Sequence, residues 1–179
     1  MKIQKVESAR PAHARTALTL LFLAYALSIT DRMILSVLFE PIRVEFGASD
    51  TQMGLLGGLS FALFYATLGV PIARLADQKD RRLIIVLSLG LFSLMTAMSG
   101  LASGFVMLFL LRIGVGIGEA GVNPASQSII ADYYPEQHRG TAMSILAVGA
   151  PVGMIGGFLI GGTVSEAYGW RAAMFAVGI

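Results

Sequence analysis

Five apolar stretches of spanning length, at about residues 16–39, 52–74, 83–102, 105–131 and 141–164, leave this chain almost no choice of architecture. At 1.5 Å rise per residue, each can cross the roughly 30 Å hydrocarbon core of a bilayer as a helix. Within hydrocarbon every backbone N–H and C=O must find a partner inside the protein, and a helix satisfies them within one segment. Composition closes off the soluble alternative. Hydrophobic residues make up 55% of the chain and charged residues 13%, against about 25% charged in an ordinary soluble domain. The reading is an all-α, multi-pass integral membrane protein whose first partner is the lipid bilayer. Residues 1–15 form an N-terminal tail and 16–179 one transmembrane bundle. A sixth span opens after Tyr168-Gly169-Trp170-Arg171 and covers only Ala172–Ile179, so the sequence reads as truncated inside its sixth helix.

Loop charges set the orientation. Lys2, Lys5, Arg10 and Arg15, then Arg74, Lys79, Arg81 and Arg82, then Arg139 fall on one side, and Arg43 and Arg171 on the other. The positive-inside rule makes the N-terminus cytoplasmic, in the plasma (inner) membrane. Between spans 1 and 2, residues Glu40 to Gly47 mix acidic and apolar side chains and read as a short interfacial helix. The absence of cysteine excludes disulfides, thiolate metal sites and a cysteine nucleophile. His13 and His138 share no ligand spacing, so no metal is expected. A net charge of +2 comes without a basic stripe, so nucleic acid is not a partner. Gly116-Ile117-Gly118-Glu119-Ala120-Gly121 fits G-x-G-x-x-G by letter, but it lies mid-span rather than in a strand–turn–helix unit and implies no nucleotide cofactor. No catalytic constellation appears within the spans, and the chain does not read as an enzyme. Glycines at four-residue spacing, Gly149, Gly153, Gly157 and Gly161, with Gly114 and Gly118, mark close helix contacts. Pro124 and Pro151 are expected to kink their spans.

Four ionisable residues lie where lipid should tolerate none: Asp31 and Arg32 in span 1, Arg112 and Glu119 in span 4. Each costs roughly 2.5–3.5 kcal/mol at a helix centre unless it finds a partner or a wet cavity. Counted along their helices, Asp31 and Glu119 lie roughly 22 and 20 Å from the cytoplasmic edge, at nearly one level. Asn123 continues the face of Arg112 and Glu119, and Tyr25, Ser28, Arg32 and Ser36 line one face of span 1. Both helices thus present the wall of a cavity. Two carboxylates, each with an arginine on its own helix, can exchange protons if access alternates, since desolvation favours the acid and a nearby arginine the carboxylate. Direct binding of an anionic solute by the arginines, and simple structural pairing of helix 1 with helix 4, remain as alternatives.

The loop Leu75-Ala76-Asp77-Gln78-Lys79-Asp80-Arg81-Arg82 resembles the signature loop of the major facilitator superfamily, Gly-x-x-x-Asp-Arg-x-Gly-Arg-Arg. Asp77, Arg81 and Arg82 match, while Ala73, Gln78 and Asp80 replace a glycine, a basic residue and a second glycine. Arg112, Pro135 with Arg139-Gly140, and Gly169-Trp170-Arg171 fit further family signatures. Asp31-Arg32, Gly118-Glu119-Ala120 and Ala131-Asp132-Tyr133-Tyr134-Pro135 are similar to spinster-like transporters, and the first two also to the anion to cation symporters. The resemblance implies the N-terminal six-helix half of the superfamily fold, an inverted 3+3 repeat completed by a second six-helix half. It also implies proton-coupled secondary active transport by alternating access of a small organic or amphipathic lipid-like solute, or of an organic anion. Asp31, Arg32, Arg112, Glu119 and Asn123 would then serve coupling or substrate. Asp77, Arg81, Arg82, Asp132 and Arg139 would form a cytoplasmic charge network. A non-transporting half is the other reading of the chain as it stands.

Overall fold

The computed structural model describes residues 11–59 and 80–178, with residues 62, 66, 67, 71, 72 and 74 between them. Helix α1 spans Pro11–Val37, α2 Phe39–Phe46 and α3 Asp50–Gly54, which continues as a π-helical turn at Leu55–Leu59. After the loop come α4 at Arg81–Ser99, α5 at Phe105–Glu119, α6 at Val122–Tyr133 and α7 at Glu136–Gly178. Among the described residues, four stretches are long and apolar enough to cross a membrane: His13–Val37, Arg81–Ser99, Phe105–Tyr133 and Glu136–Gly178. Part of the second span, expected at 52–74, lies outside the described residues. Its start does not: Ser49 caps α3, accepting from Gln52 N at 3.2 Å while Gln52 Oε1 accepts from Ser49 N at 2.8 Å.

Several boundaries differ from the hydropathy reading. The described part of α1 already includes Pro11, ahead of the expected start at residue 16. The fourth span is two helices, broken at Ala120 and Gly121. Pro124 leaves the Ala120 carbonyl without its usual donor, which accounts for the break. Pro151, by contrast, interrupts nothing: within α7 the backbone is non-helical only at Gly169 (φ 83°, ψ 165°). Few side chains tolerate that positive φ, so Gly169 ends the fifth span and starts the sixth.

Glycines set how the spans pack. Helix α7 lies along α1 in parallel register: Gly149 faces Phe22 and Tyr25, Gly153 faces Ala26 and Ile29, Gly157 faces Thr30 and Met33, and Gly161 faces Ile34 and Val37. Thr30 Oγ1 shares its proton between Ala26 O at 2.9 Å and Gly153 O at 3.0 Å. Gly114 and Gly118 admit Met95 and Phe92 of α4 in the same way. On the outer surface Leu20, Leu27, Leu87, Leu110, Ile155 and Phe158 are exposed, as expected of positions that meet acyl chains.

Two apolar cores lie at opposite ends, one around Leu21, Ile85, Ile130 and Leu146, the other around Ile34, Leu38, Ile42, Leu108 and Met174. The second is closed by a polar clasp. Glu45, in the last turn of α2, accepts from Trp170 Nε1 at 2.6 Å and Arg171 Nη1 at 2.7 Å. Arg171 also donates to Ala102 O at 3.0 Å and stacks 4.3 Å from the Trp170 ring centroid. The clasp ties the first interspan loop, the loop between α4 and α5, and the start of the sixth span. The Trp170 indole N–H first, and the Arg171 guanidinium second, hold the Glu45 carboxyl below the usual carboxylate range.

Two outcomes are expected in the full-length protein in detergent. Gly157→Ala, whose Cβ would meet Met33 and the Thr30 carbonyl, lowers stability by about 1–3 kcal/mol through overpacking. Gly162→Ala, with nothing within 4 Å, is neutral or gains up to about 1 kcal/mol of helix propensity. Because the Glu45 pKa is lowered on folding, its contribution is present above the ordinary carboxylate pKa and lost as pH falls through the folded value. The melting temperatures of wild type and Glu45→Gln should therefore differ at neutral pH and converge on acidification.

Candidate functional site

The four intramembrane charges meet where α1 crosses α5. Arg112 Nη1 donates to Asp31 Oδ2 at 2.9 Å, and Arg32 Nε donates to Glu119 Oε2 at 2.7 Å. The pairs therefore cross between helices; neither carboxylate uses the arginine on its own helix. Helix geometry dictates this. Adjacent residues such as Asp31 and Arg32 point about 100° apart, and Arg112 and Glu119, seven residues apart, are separated by roughly 10 Å of rise.

The two pairs differ in surroundings. Asp31 and Arg112 are 1% and 4% exposed, and Asp31 Oδ1 accepts a further hydrogen bond from the Thr96 hydroxyl. Arg112 Nη2 points at Met174 Sδ, 2.9 Å away. In the other pair Glu119 is fully buried, whereas the Arg32 side chain is 32% exposed. Glu119 Oε1 and Arg112 Nε are buried with no hydrogen-bond partner among the described residues. A cavity of about 210 Å³ borders Asp31, Arg32, Ser36, Leu56, Gly57 and Arg112. A smaller one of about 40 Å³, large enough for a water molecule, borders Tyr25, Ser28, Arg32, Glu119 and Asn123. The π-helical turn thus reaches the site through Leu56 and Gly57, a backbone irregularity of a kind frequent at functional sites. The polar face anticipated for α1 and the Arg112–Glu119–Asn123 stripe converge here.

A second cluster sits at the end of the bundle that carries the N-terminus. Arg81 pairs with Asp132, and Arg82 donates to the Tyr133 hydroxyl, both linking the start of α4 to the end of α6. Asp80, which stands where the signature loop has its second glycine, caps α4 by accepting from Arg82 N at 2.9 Å. Arg139 donates to Ala131 O at 2.7 Å and Tyr134 O at 3.0 Å, satisfying carbonyls that α6 leaves open at its end, and pairs with no carboxylate among the described residues. Asp77 lies outside the described residues.

Sequence reasoning missed Thr96 and Met174. A signal for Thr96 was present: Ser88, Phe92, Thr96 and Ser99 are all buried along α4, and three polar residues at helical spacing in an apolar span mark an inward polar stripe. Met174 carried none, because a methionine in an apolar segment reads as packing.

The sequence profile of the Major Facilitator Superfamily matches residues 21–179. The chain belongs to that superfamily. It is 33% identical over 168 residues to an MFS-type efflux pump of Mycolicibacterium smegmatis, covering 94% of this chain and 39% of the relative. To a probable L-galactonate transporter of Escherichia coli it is 35% identical, with coverages of 92% and 36%. Protein spinster homolog 1 of Xenopus tropicalis is 30% identical, with coverages of 90% and 31%. Among solved structures, a bacterial homologue of the human lysosomal transporter Spinster, inward-facing and unoccupied, superposes with a TM-score of 0.89 at 38% identity, covering 95% of this chain and 41% of that one. The chain thus spans about two fifths of the length of the relatives it matches. It is a spinster-like, all-α membrane bundle corresponding to the N-terminal half of the superfamily fold.

The difference between the pairs is measurable in the full-length protein. Arg112→Gln leaves Asp31 buried without its countercharge and should cost about 3–5 kcal/mol. Arg81→Gln breaks a pair at the bundle end and should cost at most about 1 kcal/mol. Thermal unfolding in detergent reads both, and Arg32→Gln should fall between them.

Proposed function

We propose that this chain forms the N-terminal half of a secondary active transporter that works by alternating access and couples solute movement to protons. The observation that carries the reading is the unequal pair of crossed salt bridges beside a cavity at mid-span. Asp31–Arg112 is almost without exposed surface and has both carboxylate oxygens held, whereas Arg32–Glu119 keeps its arginine a third exposed and, among the described residues, one carboxylate oxygen unpartnered. Drawing Arg32 away from Glu119 removes the charge that stabilises the carboxylate, so the buried acid takes up a proton; restoring the contact releases it. Asn123, Ser28 and Tyr25 border the small cavity beside Glu119, where a water held by these polar groups can take that proton. The solute would bind at the interface with a C-terminal six-helix half, where inverted-repeat transporters place their sites. By loop charge the N-terminus is cytoplasmic, and an inner or plasma membrane is the fitting location. The Arg81–Asp132 and Arg82–Tyr133 contacts, with Asp77, would steady one conformation at that surface.

The solute is a small organic or amphipathic lipid-like molecule. An organic anion co-transported with a cation is the second reading, favoured by the partly exposed Arg32 guanidinium at the 210 Å³ cavity and by relatives named as L-galactonate and hexuronate transporters. Full-length protein in liposomes with an internal pH dye, offered lysophosphatidylcholine, galactonate or glucuronate, tests both. A solute-dependent proton flux that is lost in Glu119→Gln, while solute exchange persists, supports coupling at Glu119. An equal flux in wild type and Glu119→Gln overturns it.

A further inference from the structure

A buried threonine on α4 has forgone its usual partner. In an apolar helix a serine or threonine hydroxyl ordinarily donates to the carbonyl four residues back. Thr19, Thr30, Ser99, Ser126, Ser144 and Thr163 all do so in this protein. Thr96, with no exposed surface, donates instead to Asp31 Oδ1 across the interface with α1. Arg112 holds the other oxygen, Oδ2, at 2.9 Å. Hydroxyl and guanidinium divide the carboxylate between them.

We propose that Thr96 is a positioning residue for ion coupling, holding the Asp31 carboxylate aimed at Arg112. The proposal rests on the reading of the Asp31–Glu119 cluster as the coupling site. The terminal torsion of an aspartate is broad and roughly two-fold, so one anchored oxygen fixes where the other points. The charged groups around Asp31 are Arg112 and Glu119 from α5 and Arg32 from its own helix, with Arg32 turned to Glu119. From α7 the neighbour is the uncharged Met174, which meets the far nitrogen of Arg112. Among the described residues Thr96 is the neutral side chain hydrogen-bonded to Asp31, and it reaches Asp31 from a helix that carries none of the four charges.

The test is difference infrared spectroscopy of full-length protein in lipid, isolating the side-chain carboxyl bands that Asp31→Asn removes. Thr96→Val keeps the shape and removes the donor. It should shift those bands in frequency, because Oδ1 loses its hydrogen bond. Thr96→Ser, which keeps the hydroxyl, should leave them at the wild-type frequency. Identical bands in wild type and Thr96→Val overturn the proposal, as does a Thr96→Ser shift equal to that of Thr96→Val. The coupling reading fails separately, if Asp31→Asn and Glu119→Gln both retain the proton flux described above while the Thr96→Val shift persists.

Discussion

Charge neutralisation at mid-depth is the constraint on which the rest of this bundle depends. Asp31, Arg32, Arg112 and Glu119 sit where neither water nor headgroups can solvate them fully, and an unpaired charge there is costly. Since neither helix can pair its own charges, α1 and α5 must meet at one level and in one rotation. That requirement aligns the helices more sharply than apolar contact could, because hydrocarbon side chains gain nothing from one another that lipid would not also give. A smaller feature serves the same alignment: Gly118 lets α4 close against α5 near the pairs.

The four charges do not behave as a symmetric quartet. Asp31 is buried with both oxygens held, by Arg112 and Thr96, which suits a fixed element. Glu119 keeps one oxygen unpartnered among the described residues and a partly exposed countercharge, which suits an element that moves. A rigid pair beside a labile one lets part of the site change protonation while the helix crossing stays intact.

Much of this was legible in the sequence. Apolar length gave the helical membrane class, and Asp31, Arg32, Arg112 and Glu119 declared a shared site by being charged where composition forbids it. The Gly169 turn and the short helix after span 1 were readable from local chemistry. What was not legible depended on partners distant in sequence. The crossing of the pairs needs the relative rotation of two helices. The carbonyls at the end of α6 that Arg139 donates to are acceptors no signature pattern declares. Pro124 and Pro151 look alike in sequence, yet only the first coincides with a break, next to Gly121, where Ser88 of α4 crowds the backbone.

The parallel packing of α7 on α1 carries an ambiguity of its own. Glycines recurring every four residues present nearly the same smooth groove after each turn, so the backbone contact alone distinguishes poorly between the observed alignment and one displaced by a turn. Thr30 breaks that degeneracy by fastening to the Gly153 carbonyl. It acts as an index mark on a ruler of equal divisions, and it sits one residue before Asp31. The vertical position of the charged cluster is thereby tied to α7, a helix that contributes no charge to it.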